Sequence, residues 1–462
     1  MNRFIGREKE LNKLNKMYQS DNLEVAVIYG RRRVGKTTLI NRFCEGKRNI
    51  FFAAQENNSA HNLMTLSEVI LQSEAGGIAA GALFTGFEAA FDRIALLSKK
   101  ERVVFVIDEY PYLAKAYPAI SSILQNYIDH QFQNTKLMII LCGSSMSFME
   151  HQVLGYESPL YGRRTAQFKI IPFDYYDTAK WFPSYSDEEK ALMYGITGGI
   201  PMYLQRFSDK KTIKDNLLDE LFDENALLFD EPANLLKQEL REPATYNAII
   251  QAIAHGSTKL SEISGKAGIE TGTCTKYISN LIELGIVKRE VPVTDENSKR
   301  PVYLIDDLFF DFWYTFIPHN RSAILSGRIG DFYEEVIGKH LSDYMGKVFE
   351  KMCKDYILTY DKELPFPYGR IGQWWGGNPK TRKQAQIDVV VTSADDKSVI
   401  VGSCKFMNKK VGMDEYSLMQ EYGEILSAYD NKYIYLFSKS GFDDSLKKVP
   451  GLRLISLSDM YK

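Results

Sequence analysis

The most constraining feature of this 462-residue sequence is a glycine-rich segment that follows an apolar run, Gly30-Arg31-Arg32-Arg33-Val34-Gly35-Lys36-Thr37. Residues 24–29 before it are mostly apolar, as expected of a strand buried in a parallel sheet. Residues 38–43 after it continue with apolar side chains at helical spacing. A strand, a glycine-rich loop and a helix in this order present backbone N–H groups and a helix N-terminus to a phosphate group. The segment therefore predicts a phosphate-binding loop in an α/β fold.

The polar residues at the end of this loop predict which phosphate compound binds. A lysine at this position can reach the β- and γ-phosphates of a nucleoside triphosphate, and the hydroxyl that follows it can bind Mg²⁺. We therefore expect ATP and Mg²⁺ as ligands. The predicted nucleotide-binding residues of the loop are Gly30, Val34, Gly35, Lys36, Thr37 and Thr38.

Two further apolar runs end in polar residues that suit hydrolysis. Residues 103–107 lead into Asp108 and Glu109. In enzymes with such a loop, the first acid holds magnesium and the second polarises the attacking water. Residues 137–141 lead into Ser144, which we expect either to sense the γ-phosphate or to form a plain turn. Two more apolar runs, at 50–54 and 166–171, predict a sheet of at least five strands.

The N-terminal segment Phe4-Ile5-Gly6-Arg7-Glu8, with Glu10 and Leu11, resembles the N-terminal box of the archaeal-type ATPases, relatives of the STAND and origin-recognition ATPases. The resemblance covers residues 1 to about 240. It implies that Arg7 lies near the adenine, and that Pro201, in Gly198-Gly199-Ile200-Pro201, reports the nucleotide state from a helical lid. It also implies that Arg163 acts as an arginine finger in a nucleotide-dependent homo-oligomer. The alternatives are a salt bridge for Arg163 and a helix breaker at residues 198–201.

The next region has the pattern of a winged helix-turn-helix. Helices are predicted at residues 243–256, 262–267 and 271–284, the second of them capped by Ser261. A hairpin follows, with strands at 286–293 and 301–305. Three helices and a hairpin in this order are typical of that fold.

Duplex DNA is the expected partner of this region, through one face of the third helix and the tip of the hairpin. Residues 241–300 contain nearly equal numbers of basic and acidic residues, so the local electrostatic field is weak. Docking of a protein partner therefore stays open. The predicted nucleic-acid residues are Thr273, Lys276, Tyr277, Asn280, Lys299 and Arg300.

After an apparent aromatic linker at residues 309–314, the chain enters a second α/β region. Helices are predicted at 330–344, 347–357 and 414–430, and strands at 386–391, 398–402 and 433–437. This order resembles the PD-(D/E)xK nuclease fold, specifically the C-terminal domain of unknown function that is often fused to archaeal-type ATPases. The region also contains a segment, 374–383, in which two tryptophans precede three basic residues, which predicts either stacking on bases or a core anchor with a solvated tip.

The resemblance implies a second metal site made by Glu350 and Asp388, with Lys405 to orient water. The nuclease motif expects an acid two residues before the lysine, but Ser403 stands there. A serine hydroxyl is a poor substitute for a carboxylate as a ligand for a hard cation. Three readings follow: the acid has moved, with Glu415 as the candidate; the domain binds without cutting; or Asp388 and Lys405 form a half-buried ion pair.

The expected fold class is α/β: a P-loop NTPase parallel sheet with a helical lid, a winged helix-turn-helix and a C-terminal α/β restriction-endonuclease-like domain. The expected domains are 1–172 (ATPase core), 173–240 (lid), 241–318 (winged helix) and 325–462 (nuclease-like domain). Five scattered cysteines and no long apolar run predict a cytoplasmic protein with reduced thiols and no membrane association. The function expected first is a DNA-associated ATPase switch. The alternative is a STAND-like signalling ATPase that binds a protein partner.

Overall fold

The computed structural model describes residues 4–74, 83–326 and 329–462. By the density of its internal contacts the chain divides into two compact units, residues 1–172 and residues 173–462.

The first unit is built on a five-stranded parallel sheet with the order β2-β3-β4-β1-β5. Its strands are β1 (Glu24–Tyr29), β2 (Asn49–Ala53), β3 (Val103–Asp108), β4 (Leu137–Gly143) and β5 (Ala166–Lys169). Every residue of β3 and β4 is buried, because helices cover both faces of the sheet. The five strands confirm the parallel sheet that the apolar runs predicted.

Helices of the first unit pack on the two faces of this sheet and form two separate apolar clusters with it. The helices are α1 (Glu8–Tyr18), α2 (Lys36–Cys44), α3 (Ser59–Gln72), α4 (Phe87–Lys100), α5 (Tyr110–Ala116), α6 (Ile120–Asp129) and α7 (Met146–Phe148). Because all five strands are parallel, their carboxyl ends meet at one edge, where the loops before α2 and α5 also lie.

The second unit begins with helices and continues into a small hairpin. The helices are α8 (Tyr175–Ala179), α9 (Asp187–Thr197), α10 (Pro201–Leu204), α11 (Ile213–Glu220), α12 (Glu231–Glu239), α13 (Pro243–Ala254), α14 (Leu260–Ala267) and α15 (Thr271–Glu283). The hairpin strands are β6 (Val287–Glu290) and β7 (Val302–Ile305), which pair antiparallel. Three helices and a hairpin thus follow one another from residue 243 in the order of a winged helix.

The rest of the second unit is a mixed sheet with helices against it. Its helices are α16 (Leu308–Phe316), α17 (Arg321–Leu325), α18 (Ile329–Phe332), α19 (Gly338–Thr359) and α20 (Met413–Ile425). Its strands are β8 (Tyr368–Gly377), β9 (Gln384–Ser393), β10 (Ser398–Lys405), β11 (Asn431–Ser438) and β12 (Arg453–Ser456). The order is β12-β11-β10-β9-β8, with β8, β9 and β10 antiparallel and β10, β11 and β12 parallel.

One apolar core runs through the second unit from Phe173 to Met460. It joins α9, the helices of the winged-helix region, α16, α19 and one face of the mixed sheet. Tyr344 on α19 shows how close this packing is, because its hydroxyl shares its single hydrogen between the carbonyls of Gly195 (2.7 Å) and Leu308 (2.9 Å). Helix α9 and the C-terminal sheet therefore belong to one packed body.

Two predictions from the sequence are wrong in this core. The aromatic segment at 309–314 is not a linker but part of helix α16, whose residues are almost all buried. Its aromatic side chains are too many and too apolar for an exposed connection, and Trp313 also donates its indole N–H to the carbonyl of Phe229 at 2.8 Å. The predicted break between two helices near Gly346 is also absent, since α19 runs through it with Met345 and Val348 fully buried.

Two local predictions also need correction. Ser261 does not cap α14, because the helix begins one residue earlier, at Leu260. The tryptophan segment is not a loop throughout: Trp374 and Trp375 lie on strand β8, and Trp374 packs against the apolar cluster beneath α20. This supports the core-anchor reading for Trp374.

The four-part division of the chain at residues 172, 240 and 318 stays a prediction in its finer parts. In the described segments, no helix is both long and apolar enough to cross a membrane.

Candidate functional site

The phosphate-binding loop is shaped by its glycines. Gly30 follows β1 with φ 156°, and a Cβ there would lie 2.1 Å from the carbonyl oxygen of Ile170. Only glycine fits such a close approach. Gly35 comes just before α2 with φ 87°, a conformation that other residues rarely adopt. The loop therefore turns from strand to helix with its backbone close to the sheet edge.

Lys36 lies inside this turn. Its amine donates to the carbonyls of Gly30 (2.8 Å) and Arg31 (2.9 Å), and the side chain is buried. Burial lowers the pKa of the amine, while the nearby Asp108 and Glu109 act in the opposite direction. An anionic phosphate placed in the loop would provide the countercharge that the loop carbonyls supply only in part.

Thr37 and Asp108 meet at the carboxyl edge of the sheet. The Thr37 hydroxyl donates to a carboxylate oxygen of Asp108 at 2.9 Å, although the two residues are 71 positions apart in the sequence. Both are hard oxygen donors of the type that Mg²⁺ prefers. The pair therefore fits the magnesium site predicted from the sequence.

Glu109 and Ser144 form a second contact at this edge. The Ser144 hydroxyl (2.8 Å) and backbone N–H (3.2 Å) both donate to the same carboxylate oxygen of Glu109. Glu109 has a left-handed backbone, φ 52° and ψ 44°, which is uncommon outside glycine and often marks functional positions. The two residues that the sequence proposed as water activator and phosphate sensor thus contact each other.

The other predicted nucleotide residues lie in varied surroundings. Val34 is fully buried in an apolar cluster, so only its backbone is available to a ligand, whereas the Thr38 side chain is exposed. Arg7 donates to the backbone carbonyls of Val34 (3.3 Å) and Ile171, so it braces the phosphate-binding loop. Pro201 is buried at the start of α10 in the second unit. The roles of these residues toward the nucleotide stay predictions.

Arg163 is held within its own chain. Its guanidinium makes a bidentate ion pair with Asp129 at 2.8 and 2.7 Å, and it also donates to the carbonyls of Pro159 and Tyr161. This pairing matches the salt-bridge reading from the sequence. The predicted role of Arg163 as a finger toward a neighbouring subunit requires that the ion pair break.

The nuclease-like residues also come together, at one end of the mixed sheet. Lys405 lies 3.2 Å from Glu415 and 4.0 Å from Asp388, and the Ser403 hydroxyl donates to Glu415 at 2.6 Å. Burial opposes the charge on Lys405, but Asp388 and Glu415 together raise the pKa of its amine. The migrated acid proposed from the sequence therefore lies beside the serine that replaced it.

Glu350 faces this group from α19. Its carboxylate accepts from the Gln373 amide, and burial followed by the charge of Asp388 raises its pKa to about 7. Asp388 accepts from the Cys404 N–H at 3.0 Å, and burial raises its pKa also. In residues 4–74, 83–326 and 329–462, no three His, Cys, Asp or Glu side chains are grouped so that they could hold a metal ion.

Two of the predicted nucleic-acid residues are used inside the fold. Tyr277 donates to Glu242, and its ring packs at a tilt against the ring of Tyr246, with centroids 4.6 Å apart. The Asn280 amide donates to the Tyr246 hydroxyl at 2.6 Å. The side chains of Thr273, Lys276, Lys299 and Arg300 are exposed.

The tip of the hairpin is attached to the C-terminal sheet. The Val293 N–H donates to the Gln373 carbonyl at 2.9 Å, and Glu296 pairs with Arg370 at 3.7 Å. Val293 is buried in the cluster that includes α20. The tip of the hairpin therefore contacts strand β8.

The sequence reasoning missed three residues that support these sites. Asp129 holds Arg163, Gln373 holds Glu350, and the buried thiol of Cys142 lies close enough to Asp108 for its charge to raise the thiol pKa further, beyond the effect of burial. Cys142 lies two residues before Ser144, near the end of β4, so its position at the sheet edge could be predicted from the sequence. Asp129 and Gln373 carried no local signal of their contacts.

A relative from Methanocaldococcus jannaschii, an uncharacterized protein, is 34% identical over 446 residues, which is 94% of this chain and 96% of the relative. Residues 4–207 match the model of an ATPase domain predominantly from Archaea, and residues 313–416 match a model described as archaeal and bacterial proteins of unknown function. The chain belongs to this archaeal-type ATPase family.

Three further proteins are similar over parts of the chain. An uncharacterized ATP-binding protein of the same organism is 42% identical over 45 residues, 10% of this chain and 76% of that protein. The Walker-type ATPase of Pyrococcus abyssi has a TM-score of 0.49 at 19% identity, covering 67% of this chain and 96% of its own. The Orc1 protein of Aeropyrum pernix, solved in complex with DNA, has a TM-score of 0.35 at 14% identity, covering 74% and 95%.

Proposed function

We propose that this protein is a nucleotide-switched ATPase that associates with duplex DNA. The observation that most supports the ATPase activity is the contact of Thr37 with Asp108 beside the buried Lys36, because this is the arrangement that Mg²⁺ and a triphosphate need. The family assignment of residues 4–207 supports the same activity.

In this proposal the residues at the carboxyl edge of the sheet have separate roles. The backbone of the loop from Gly30 to Gly35 binds the phosphates, and Lys36 exchanges its loop carbonyls for phosphate oxygens. Thr37 and Asp108 would hold a magnesium ion, which would offset the negative charge that develops on the phosphates. Glu109 takes a proton from the attacking water.

Ser144 is a positioning residue in this proposal. It holds one oxygen of Glu109 through two donors, which fixes the direction of the carboxylate. If the Ser144 hydroxyl turns to donate to a γ-phosphate, it no longer donates to Glu109. The orientation of the Glu109 carboxylate then depends on whether a γ-phosphate is bound.

The test of this proposal is ATP turnover with and without duplex DNA. Glu109→Gln is expected to lower turnover by roughly 100-fold or more while ATP still binds, since a general base contributes on the order of 10²–10⁴ in rate. Ser144→Ala is expected to lower kcat with little change in KM. Turnover by Glu109→Gln at the wild-type rate would refute the assigned role of Glu109.

We further propose that the C-terminal domain binds nucleic acid without cutting it. Each acid of the predicted nuclease site already has a partner: Gln373 for Glu350, the Cys404 N–H for Asp388, and Ser403 with Lys405 for Glu415. Wild type is therefore expected to leave plasmid and linear DNA intact with Mg²⁺ or Mn²⁺. Cleavage by wild type that Lys405→Ala abolishes would show an active nuclease instead, with its acid supplied by another residue.

A second candidate function has its own supporting observation. Tyr277 and Asn280 bond within the fold, and the hairpin tip bonds to β8, which leaves less of the winged helix for DNA. This favours a STAND-like switch whose C-terminal domains bind a protein partner. That function predicts weak DNA binding at physiological salt and an ATP-dependent increase in particle mass, measured by light scattering.

A further inference from the structure

The turn between β8 and β9, residues 378–383, carries three exposed cations. Lys380, Arg382 and Lys383 all project from this turn into solvent. Across the described ranges of the chain, none of the three has a carboxylate within ion-pair distance, unlike Lys405 at the end of β10. Unpaired cations grouped this closely repel one another, so they are stabilised by an anionic partner.

The turn is held in one shape by Asn378, which is only 3% exposed. The Asn378 amide donates to Glu421 on α20 at 2.8 Å, and its carbonyl oxygen accepts from the N–H groups of Lys380 (2.9 Å) and Thr381 (3.3 Å). Backbone bonds from Asn378 to Lys383 (2.7 Å) and from Arg382 to Asn378 (2.8 Å) close the turn. The three cations are therefore displayed from a preorganised turn, which lowers the entropy cost of binding.

A second basic loop lies at the same end of the sheet. Gly402 of β10 pairs with Val389 of β9 in antiparallel register, so the start of β9 lies beside the end of β10. The loop after β10 contains the exposed Lys409 and Lys410. The Ser440 hydroxyl donates to the Met407 carbonyl at 2.6 Å and fixes this loop.

Acidic residues offset the positive charge of the second loop more than that of the turn. Asp414 and Asp443 both lie close to Gly412, just beyond Lys410, while Asp444 pairs with Lys447 at 2.8 Å. No acid occurs in residues 377–385, and the carboxylate that contacts the turn, that of Glu421, is bound to the Asn378 amide rather than to a cation. The turn is therefore the stronger cationic element, and the loop extends it toward β10.

We propose that the 378–383 turn, together with Lys409 and Lys410, binds the phosphate backbone of duplex DNA, next to the Asp388–Lys405–Glu415 group. Cations displayed from neighbouring strand connections can each contact a phosphate of one DNA segment, and such contacts supply most of the affinity for a duplex. This inference rests on the proposed DNA association and assigns it to a surface outside the winged helix.

The test uses two full-length variants that lose the same charge. One is Lys380→Ala with Arg382→Ala and Lys383→Ala. The matched control is Lys210→Ala with Lys237→Ala and Lys362→Ala, three exposed lysines elsewhere in the second unit. Affinity for a short duplex is measured over a range of salt concentrations, with thermal unfolding and DNA-free ATP turnover as checks on folding.

The turn variant is expected to bind at least about ten-fold more weakly at low salt. Its plot of log affinity against log salt should be shallower by about 2–3, since each phosphate contact contributes about 0.9 to the slope. The control is expected to stay within about two-fold of wild type. Lys409→Ala with Lys410→Ala should flatten the slope by about 1–2 and serves as an independent variant if the turn variant unfolds.

The outcomes separate the two proposals. If wild type binds DNA and the turn variant binds as well as the control, this surface is not the contact, and DNA association through another surface stands. If wild type does not bind duplex DNA at any salt concentration while it still turns over ATP, both this inference and the proposed DNA association are wrong.

Discussion

At the scale of single residues, the ATP site could be predicted from the sequence because its residues follow one another in a short stretch of chain. A strand, glycines at fixed spacing, a lysine and a hydroxyl specify the loop, and Asp108 and Glu109 follow a second strand. What could not be predicted is which side chains meet. The contact of Ser144 with Glu109, and that of Arg163 with Asp129, join residues about 35 positions apart through the packing of the sheet.

Glu350 permits a residue-scale prediction about pH. Its pKa is raised from 4.5 to about 7, by burial first and then by Asp388, with Lys354 acting in the opposite direction. An acid with a raised pKa in the folded state binds its proton more tightly there than in the unfolded chain. Its contribution to stability is therefore greatest below about pH 4.5 and falls as pH rises toward about 7.

Glu350→Gln removes this ionisation while it preserves an acceptor for Gln373. We expect the variant to match wild type near pH 4 and to exceed it by about 1–3 kcal/mol in free energy of unfolding at pH 8. Denaturant unfolding at the two pH values measures this difference. Glu283→Gln, at an exposed position, is the control and should show no such change. A Glu350→Gln variant that is no more stable than wild type at pH 8 would contradict the assignment.

At the scale of elements, the apolar runs predicted most of the strands, whereas helix α16 and strand β8 of the second unit were missed. Apolar runs of five or six residues flanked by polar turns identified β1 to β5 and most of β9 to β11. Helix α16 was missed because a segment that is apolar on all sides lacks the polar face that marks a surface helix. Strand β8 was missed because its glycines and tryptophans are typical of loops, and its pairing with β9 is only visible in the fold.

Tyr344 provides an element-scale prediction, since its hydroxyl joins α19 to α9 and α16. Tyr344→Phe leaves the carbonyls of Gly195 and Leu308 without this donor. We expect a loss of about 1–3 kcal/mol in free energy of unfolding, the range for a buried group left unpaired. Tyr368→Phe, which removes a hydroxyl from a side chain that is 47% exposed, is the matched control. Equal stability of the two variants would show that the hydroxyl does not hold these elements together.

At the scale of the whole molecule, the second unit has one continuous core from helices α8 and α9 to the C-terminal sheet. A change that nucleotide causes at α9 or α10 is therefore expected to move the winged-helix region and the mixed sheet together, because packed cores transmit displacements rather than absorb them. The sequence indicated separate modules in this region. It could not show that α16 and α19 unite them, since that depends on contacts between residues more than 100 positions apart.

The central claim is that nucleotide and DNA binding are coupled, and the coupling must be equal in both directions. The most direct measurement is the affinity of Glu109→Gln for a short duplex with ATP and Mg²⁺ bound, compared with ADP and with no nucleotide. We predict at least about a five-fold difference between the ATP and ADP states, matched by an equal effect of DNA on ATP affinity. Equal DNA affinity in all three states, in this variant and in wild type, would contradict the account.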